Sequence, residues 1–73
     1  MQCPICTGAA KDIAPPDFDG KVIQCPNDGT YEIAGSALRR FESVSVYDRA
    51  RALAKAKSFQ GLAQRPTITT TCL

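Results

Sequence analysis

Two short stretches carry the residues able to do chemistry, Cys3-Pro4-Ile5-Cys6 and Cys25-Pro26-Asn27-Asp28. They share one frame, whose last position is cysteine in the first and aspartate in the second. The chemistry this implies is metal binding. Written as spacing, the set reads Cys3-x2-Cys6-x18-Cys25-x2-Asp28, an interval within the range that separates the two Cys-x2-Cys turns of a four-ligand zinc site. Two thiolates three positions apart on a tight turn can address one ion at about 2.3 Å, and two such turns facing each other supply a tetrahedron. Backbone N–H groups of the turns can donate to the sulfurs and fix their orientation.

The fourth position has several candidate occupants. Aspartate oxygen ligates zinc at about 2.0 to 2.2 Å, and Pro26 and Gly29 keep the frame of the turn around Asp28. Cys72, folded back along the tail, would complete an all-thiolate set, which zinc's affinity for sulfur favours. Otherwise water fills the position or the site is vestigial. Asp28 also reads as the turn aspartate of an Asp-Gly hairpin.

Other cysteine chemistries fit less well. Four cysteines are an even number that would allow two disulfides. No basic stretch followed by an apolar one precedes Cys3, so the expected compartment is the cytoplasm, where Cys-x-x-Cys binds metal or does redox work rather than bridging. A thioredoxin-like redox pair belongs beside a βαβ pattern, which this sequence lacks. Iron held by sulfur normally takes four cysteines, so the aspartate argues against it. Catalytic zinc would need a general base. With no histidine in the chain, that leaves Asp17, Asp19 and Glu32, which read as turn or surface residues. The expected protein is therefore not an enzyme, and no small-molecule substrate is implied.

The elements that must position these residues are short. Seventy-three residues suggest one small domain with a thin core. Ordering each residue costs roughly 1.5 kcal/mol, so a domain of this size is expected to carry a staple. Residues 9–20 read as a loop, broken by Pro15, Pro16 and three aspartates. Lys21–Cys25 and Thr30–Ala34 read as a β-hairpin, with Tyr31 and Ile33 on one face and Thr30 and Glu32 on the other. Ser36 is expected to cap a short helix, ALRRFES. Ser45, followed by Asp48, is expected to cap a longer helix over 46–60, rich in alanine and stopped by Gly61. Its expected apolar stripe is Val46, Ala50, Leu53 and Ala54, with Tyr47 on the edge. Five β-branched residues from Thr67 to Thr71 favour a terminal strand that could carry Cys72 towards the metal end. No apolar run is long enough to cross a membrane.

CPIC followed by CPNDGTYEI resembles the zinc-ribbon proteins, whose second knuckle usually runs Cys-Pro-x-Cys-Gly and leads straight into a strand. The likeness covers roughly residues 1–35, and YEIAGSAL looks like the stretch that follows the second knuckle in small zinc-ribbon proteins of bacteria and phages. Carried over by position, the resemblance implies a zinc ion held by Cys3, Cys6 and Cys25, with Asp28 in the fourth place. The aspartate is the departure from the family pattern. Zinc ribbons often serve nucleic-acid machinery, so the resemblance also implies DNA or RNA as a partner.

Charge is unevenly distributed. The front half, residues 1–35, has two lysines against five acids. The back half carries Arg39, Arg40, Arg49, Arg51, Lys55, Lys57 and Arg65 against Glu42 and Asp48. An anionic partner would meet the back half. Against a nucleic-acid surface, these cations encircle the helix instead of lining one face, and the net charge is only +2. Five aromatic residues offer little for stacking on bases. Phe59 falls off the helix stripe, and beside Leu62 it would mark a protein-binding patch. The expectation is an α+β fold in one zinc-binding domain over residues 1–73: a zinc-ribbon-like part (1–35), a helical part (36–61) and a tail (62–73). It would be a non-catalytic module with structural Zn2+, acting on nucleic acid or alternatively on protein.

Overall fold

The computed structural model describes residues 1–61 and 65–73. Its architecture is α+β: a β-hairpin flanked by two short strands, followed by two helices that cover one face. Among the described residues the sheet has four strands in the order β1-β2-β3-β4. Strands β2 (Gly20–Cys25) and β3 (Gly29–Ala34) form the hairpin, with Ile23 opposite Tyr31 and Cys25 opposite Gly29. The side-chain period of two then places Ile23, Cys25, Tyr31 and Ile33 on one buried face. Gly29 closes the turn at φ 81, a left-handed value that glycine adopts at little cost.

Part of the stretch read as a loop is a strand. β1 (Lys11–Asp12) pairs antiparallel with β2, Lys11 opposite Gln24 and Asp12 opposite Ile23. Ile13 N–H extends the pairing by donating to the Val22 carbonyl at 2.8 Å. Two exposed polar residues give no periodicity to read, because the edge of β2 supplies the hydrogen bonds that hold them. Asp12 adds side-chain support, accepting from Ala14 N–H at 3.1 Å and Lys21 Nζ at 3.3 Å. The Ala14 bond, reinforced by Lys21 and opposed by partial burial, holds the Asp12 carboxyl below its ordinary range.

Strand β3 runs directly into helix α1 (Gly35–Arg40), so Ala34 occupies the cap position and no side chain caps the helix. Ser36 lies inside the helix instead of ahead of it. A 3-10 turn over Phe41–Ser43 follows. Helix α2 (Val46–Ser58) starts where expected: Ser45 Oγ accepts from Asp48 N–H at 3.2 Å. It ends at Ser58 with Phe59 at the cap.

Of the expected stripe on α2 only Leu53 is buried. Ala52, Leu53 and Ala56 are buried, whereas Val46 is 47% and Tyr47 85% exposed, and Ala50 and Ala54 face solvent. Two features turn the helix. The helix packs against β4 with the small Ala52 and Ala56 among its buried residues, and Arg49 ties it to the turns beside it. The Arg49 guanidinium donates to the Phe41 carbonyl through Nε at 3.0 Å and to the Pro4 carbonyl through Nη1 at 3.4 Å. It also lies 5.4 Å from the Phe41 ring centroid, within cation–π range.

The terminal strand exists but is short. β4 (Thr67–Ile68) pairs parallel with β3, Ile68 opposite Ile33, and Glu32 N–H donates to the Pro66 carbonyl at 2.9 Å. The chain then turns, with Cys72 N–H donating to the Thr69 carbonyl at 3.0 Å. Tyr31, Ile33, Ile68, Phe41, Ala37 and Leu53 share one core with Cys3 and Ile5 from the first cysteine turn. No helix among the described residues is long and apolar enough to cross a membrane.

Candidate metal centre

The first cysteine turn is closed by its own backbone: Cys3 N–H donates to the Gly8 carbonyl at 2.7 Å, and Thr7 N–H to the Cys3 carbonyl at 2.9 Å. The second lies at the tip of the β2–β3 hairpin. Because Lys11 sits opposite Gln24, the chain ahead of β1 lies beside that tip. The two turns therefore face each other.

There the Sγ atoms of Cys3, Cys6 and Cys25 and a carboxylate oxygen of Asp28 all lie within 4.8 Å of one another, close enough to hold one metal ion. Cys6 Sγ is 3.4 Å from Cys25 Sγ, and Asp28 Oδ2 is 3.5 Å from the sulfurs of both Cys3 and Cys25. A tetrahedron with bonds of about 2.0 to 2.3 Å has edges of roughly 3.3 to 3.8 Å. These three separations fall in that range and the others stay within 4.8 Å, so the donors can close on a four-coordinate ion. Cys3 and Cys25 are buried, and Cys6 and Asp28 are half-buried. None of the four cysteines is in a disulfide.

Each sulfur has hydrogen-bonding neighbours of its own. Burial pushes the Cys25 thiol up, but the backbone N–H groups of Asp28 and Asn27, with the Cys6 and Cys3 sulfurs, outweigh it and hold the thiol below its ordinary value. Cys6 moves the other way, to about 11. The Gly8 N–H lowers it, but the Cys25 sulfur, burial and the Asp28 carboxyl prevail. Asn27 Nδ2 approaches Cys6 Sγ at 3.8 Å. Cys3 Sγ lies 3.1 Å from the hydroxyl of Tyr31, a residue with no exposed surface. Burial first, then the Cys3 bond and the surrounding negative groups, push that hydroxyl well above its ordinary range.

Cys72, the other candidate ligand, stays out of this group. Parallel pairing makes β4 run as β3 does, away from the hairpin tip, and Cys72 is buried with its sulfur 3.9 Å from Thr69 Oγ1 and 4.0 Å from the Thr67 carbonyl. The expected route from the tail to the metal end fails because the strand direction is opposite to the one it needs.

The cations of the back half are dispersed. Arg49 is spent on α2, Arg65 pairs with Glu32 at 3.1 Å, and Arg51 lies 4.0 Å from Asp48. Arg39, Arg40, Lys55 and Lys57 are exposed. Phe59 is 71% exposed, while Leu62, expected beside it, lies outside the described residues.

Comparison with protein families, curated proteins and solved structures finds no match to this chain. The site rests on its own geometry. The strand alternation put Tyr31 with Ile33 on one face, but it did not disclose the contact with Cys3. The hairpin register carried that information, since Tyr31 must share a face with Cys25.

Proposed function

We propose that this chain is a zinc-binding module of the zinc-ribbon kind, and that its ion is structural. The observation that carries the reading is the convergence of three sulfurs and one carboxylate oxygen from two facing turns. That donor set suits zinc, which takes thiolate and carboxylate ligands in tetrahedral sites. Four protein donors fill such a shell and leave no position for a substrate, which supports a non-catalytic role. Structural zinc contributes on the order of 10 to 16 kcal/mol, as much as the whole stability of an ordinary domain. The ion would tie together two turns whose buried residues, Cys3, Ile5 and Cys25, meet at one end of the core. A cobalt-substituted sample tests this: the spectrum of a closed four-coordinate thiolate site supports it, and a five- or six-coordinate spectrum counts against it.

The module would act in the cytoplasm by binding a partner, and nucleic acid is the partner we favour. Support comes from the exposed Arg39, Arg40, Lys55 and Lys57 of the basic half. Retention on DNA or RNA at low salt should fall when Arg39, Arg40 and Arg51 are substituted together, and unchanged retention would reject it. A protein partner is the second reading, favoured by the exposure of Tyr47 and Phe59 on α2 and its cap. A complex weakened by Tyr47→Ala or Phe59→Ala would support that instead.

A further inference from the structure

Tyr31 contacts the candidate site through one atom, and a bound ion would dictate what that atom does. In the metal-free protein either the Cys3 thiol or the Tyr31 hydroxyl can be the donor across their 3.1 Å contact. A thiolate on a metal has no proton to give. The hydroxyl must then donate.

Charge makes this donation matter. Three thiolates and a carboxylate around a divalent ion leave a net charge of about −2. Water can solvate the half-buried Cys6 and Asp28, and backbone N–H groups serve Cys25. Cys3 has no exposed surface, so the protein itself must supply its donor. Tyr31 sits in the middle of β3, held opposite Ile23 by the hairpin register and enclosed by the core. Its hydroxyl is thus positioned by the sheet and not by the cysteine turns. Among the described residues no buried side-chain nitrogen or oxygen lacks a partner, and for Tyr31 that partner is Cys3.

We propose that Tyr31 is a positioning residue of the metal centre, its hydroxyl donating to the Cys3 thiolate so that the sheet holds this sulfur on the ion and slows release of the metal. The inference rests on the metal-binding reading above. Groups that hydrogen-bond metal ligands typically change affinity by 10- to 100-fold when removed. Tyr31→Phe deletes the oxygen and keeps the ring in the core.

The experiment compares wild type, Tyr31→Phe and Tyr47→Phe, each loaded with zinc for competition against a chromophoric chelator and with cobalt for absorption spectra. Tyr31→Phe should still bind one equivalent, with about 10-fold weaker affinity and faster transfer to the chelator. Its sulfur-to-cobalt charge-transfer band should move to lower energy, because an unbonded thiolate is the better electron donor. Tyr47→Phe, altered at an exposed ring, should match wild type. If wild type binds one ion and Tyr31→Phe matches it in affinity, release rate and band position, the inference fails and the metal reading stands. If wild type binds none, the metal reading itself fails. Should Tyr31→Phe not fold, cadmium-113-loaded wild type decides the matter: a slowly exchanging Tyr31 hydroxyl proton coupled to the metal nucleus supports the bond, and its absence overturns it.

Discussion

Lys11 lies opposite Gln24 in the sheet, and this one register sets the two cysteine turns side by side. β1 has only two residues, yet it determines where the chain from Cys3 to Ala10 must run. The pairing continues through the Ile13 N–H, which donates to the Val22 carbonyl at 2.8 Å.

Proline at position 13 removes that donor without touching any candidate ligand. Ile13→Pro should lower stability by roughly 1 to 3 kcal/mol and weaken zinc retention in chelator competition. The Ile13 side chain is 46% exposed, so Ile13→Ala should cost well under half of that. Equal effects of the two substitutions would show that the β1 pairing does not position the first turn.

The inner face of α2 gives a second test. Ala52 is 1% exposed and packs in the core, whereas Ala50 faces solvent. Ala52→Leu should destabilise by about 1 to 3 kcal/mol through overpacking, and Ala50→Leu should stay within about 0.5 kcal/mol. Chemical denaturation of the loaded protein measures both. The reverse order would restore the stripe through Val46 and Ala50.

These two sites mark what the residues disclosed and what they did not. The hairpin was legible because Tyr31 and Ile33 alternate with polar neighbours and Pro26 to Gly29 can only turn. The start of α2 was legible in Ser45 and Asp48. The rotation of α2 was not, because Ala52 and Ala56 carry little hydrophobic signal and the packing of α2 against β4 is a tertiary contact. Arg49 looked like a surface cation until its carbonyl partners, Phe41 and Pro4, were in place. The three clustered cysteines followed from spacing, whereas the fourth position stayed open between Asp28, Cys72 and water until the geometry put Asp28 beside them. The exclusion of Cys72 did not follow from spacing, because parallel and antiparallel addition of β4 to β3 look alike in sequence.

The ligand set makes its own forecast. Asp28→Ala should keep the fold of the loaded protein but weaken zinc affinity by more than the roughly 10-fold that losing an outer-shell partner costs, while Cys72→Ser should bind a full equivalent with wild-type affinity. Cys72→Ser should still lower stability, since it puts a hydroxyl where a buried sulfur sits 4.0 Å from the Thr67 carbonyl. Metal analysis of the purified variants checks each. Loss of metal in Cys72→Ser with retention in Asp28→Ala would invert the assignment.

Affinity should also depend on pH with a definite sign. In the fold, against the Gly8 N–H that lowers it, the Cys25 sulfur, burial and the Asp28 carboxyl push the Cys6 thiol up to about 11 from its ordinary 9.0. Its protonated form therefore favours that fold below the unfolded value, and this preference is lost as pH rises through about 11. An ion must displace the same proton, so zinc binding should tighten as pH rises from about 6 to 8 and release protons as it binds. Calorimetry in buffers of different ionisation enthalpy counts those protons. Affinity flat across this range would contradict thiolate ligation.

On the metal-binding reading, an ion held between the two turns keeps the front of this protein folded. Metal content and thermal unfolding, recorded on protein purified under reducing conditions before and after exhaustive chelation, test it most directly. One equivalent of zinc is expected, with a cooperative transition that collapses once the metal is removed and returns when it is added back. Protein that holds no metal and melts just as cooperatively in chelator would show that no ion holds the turns together.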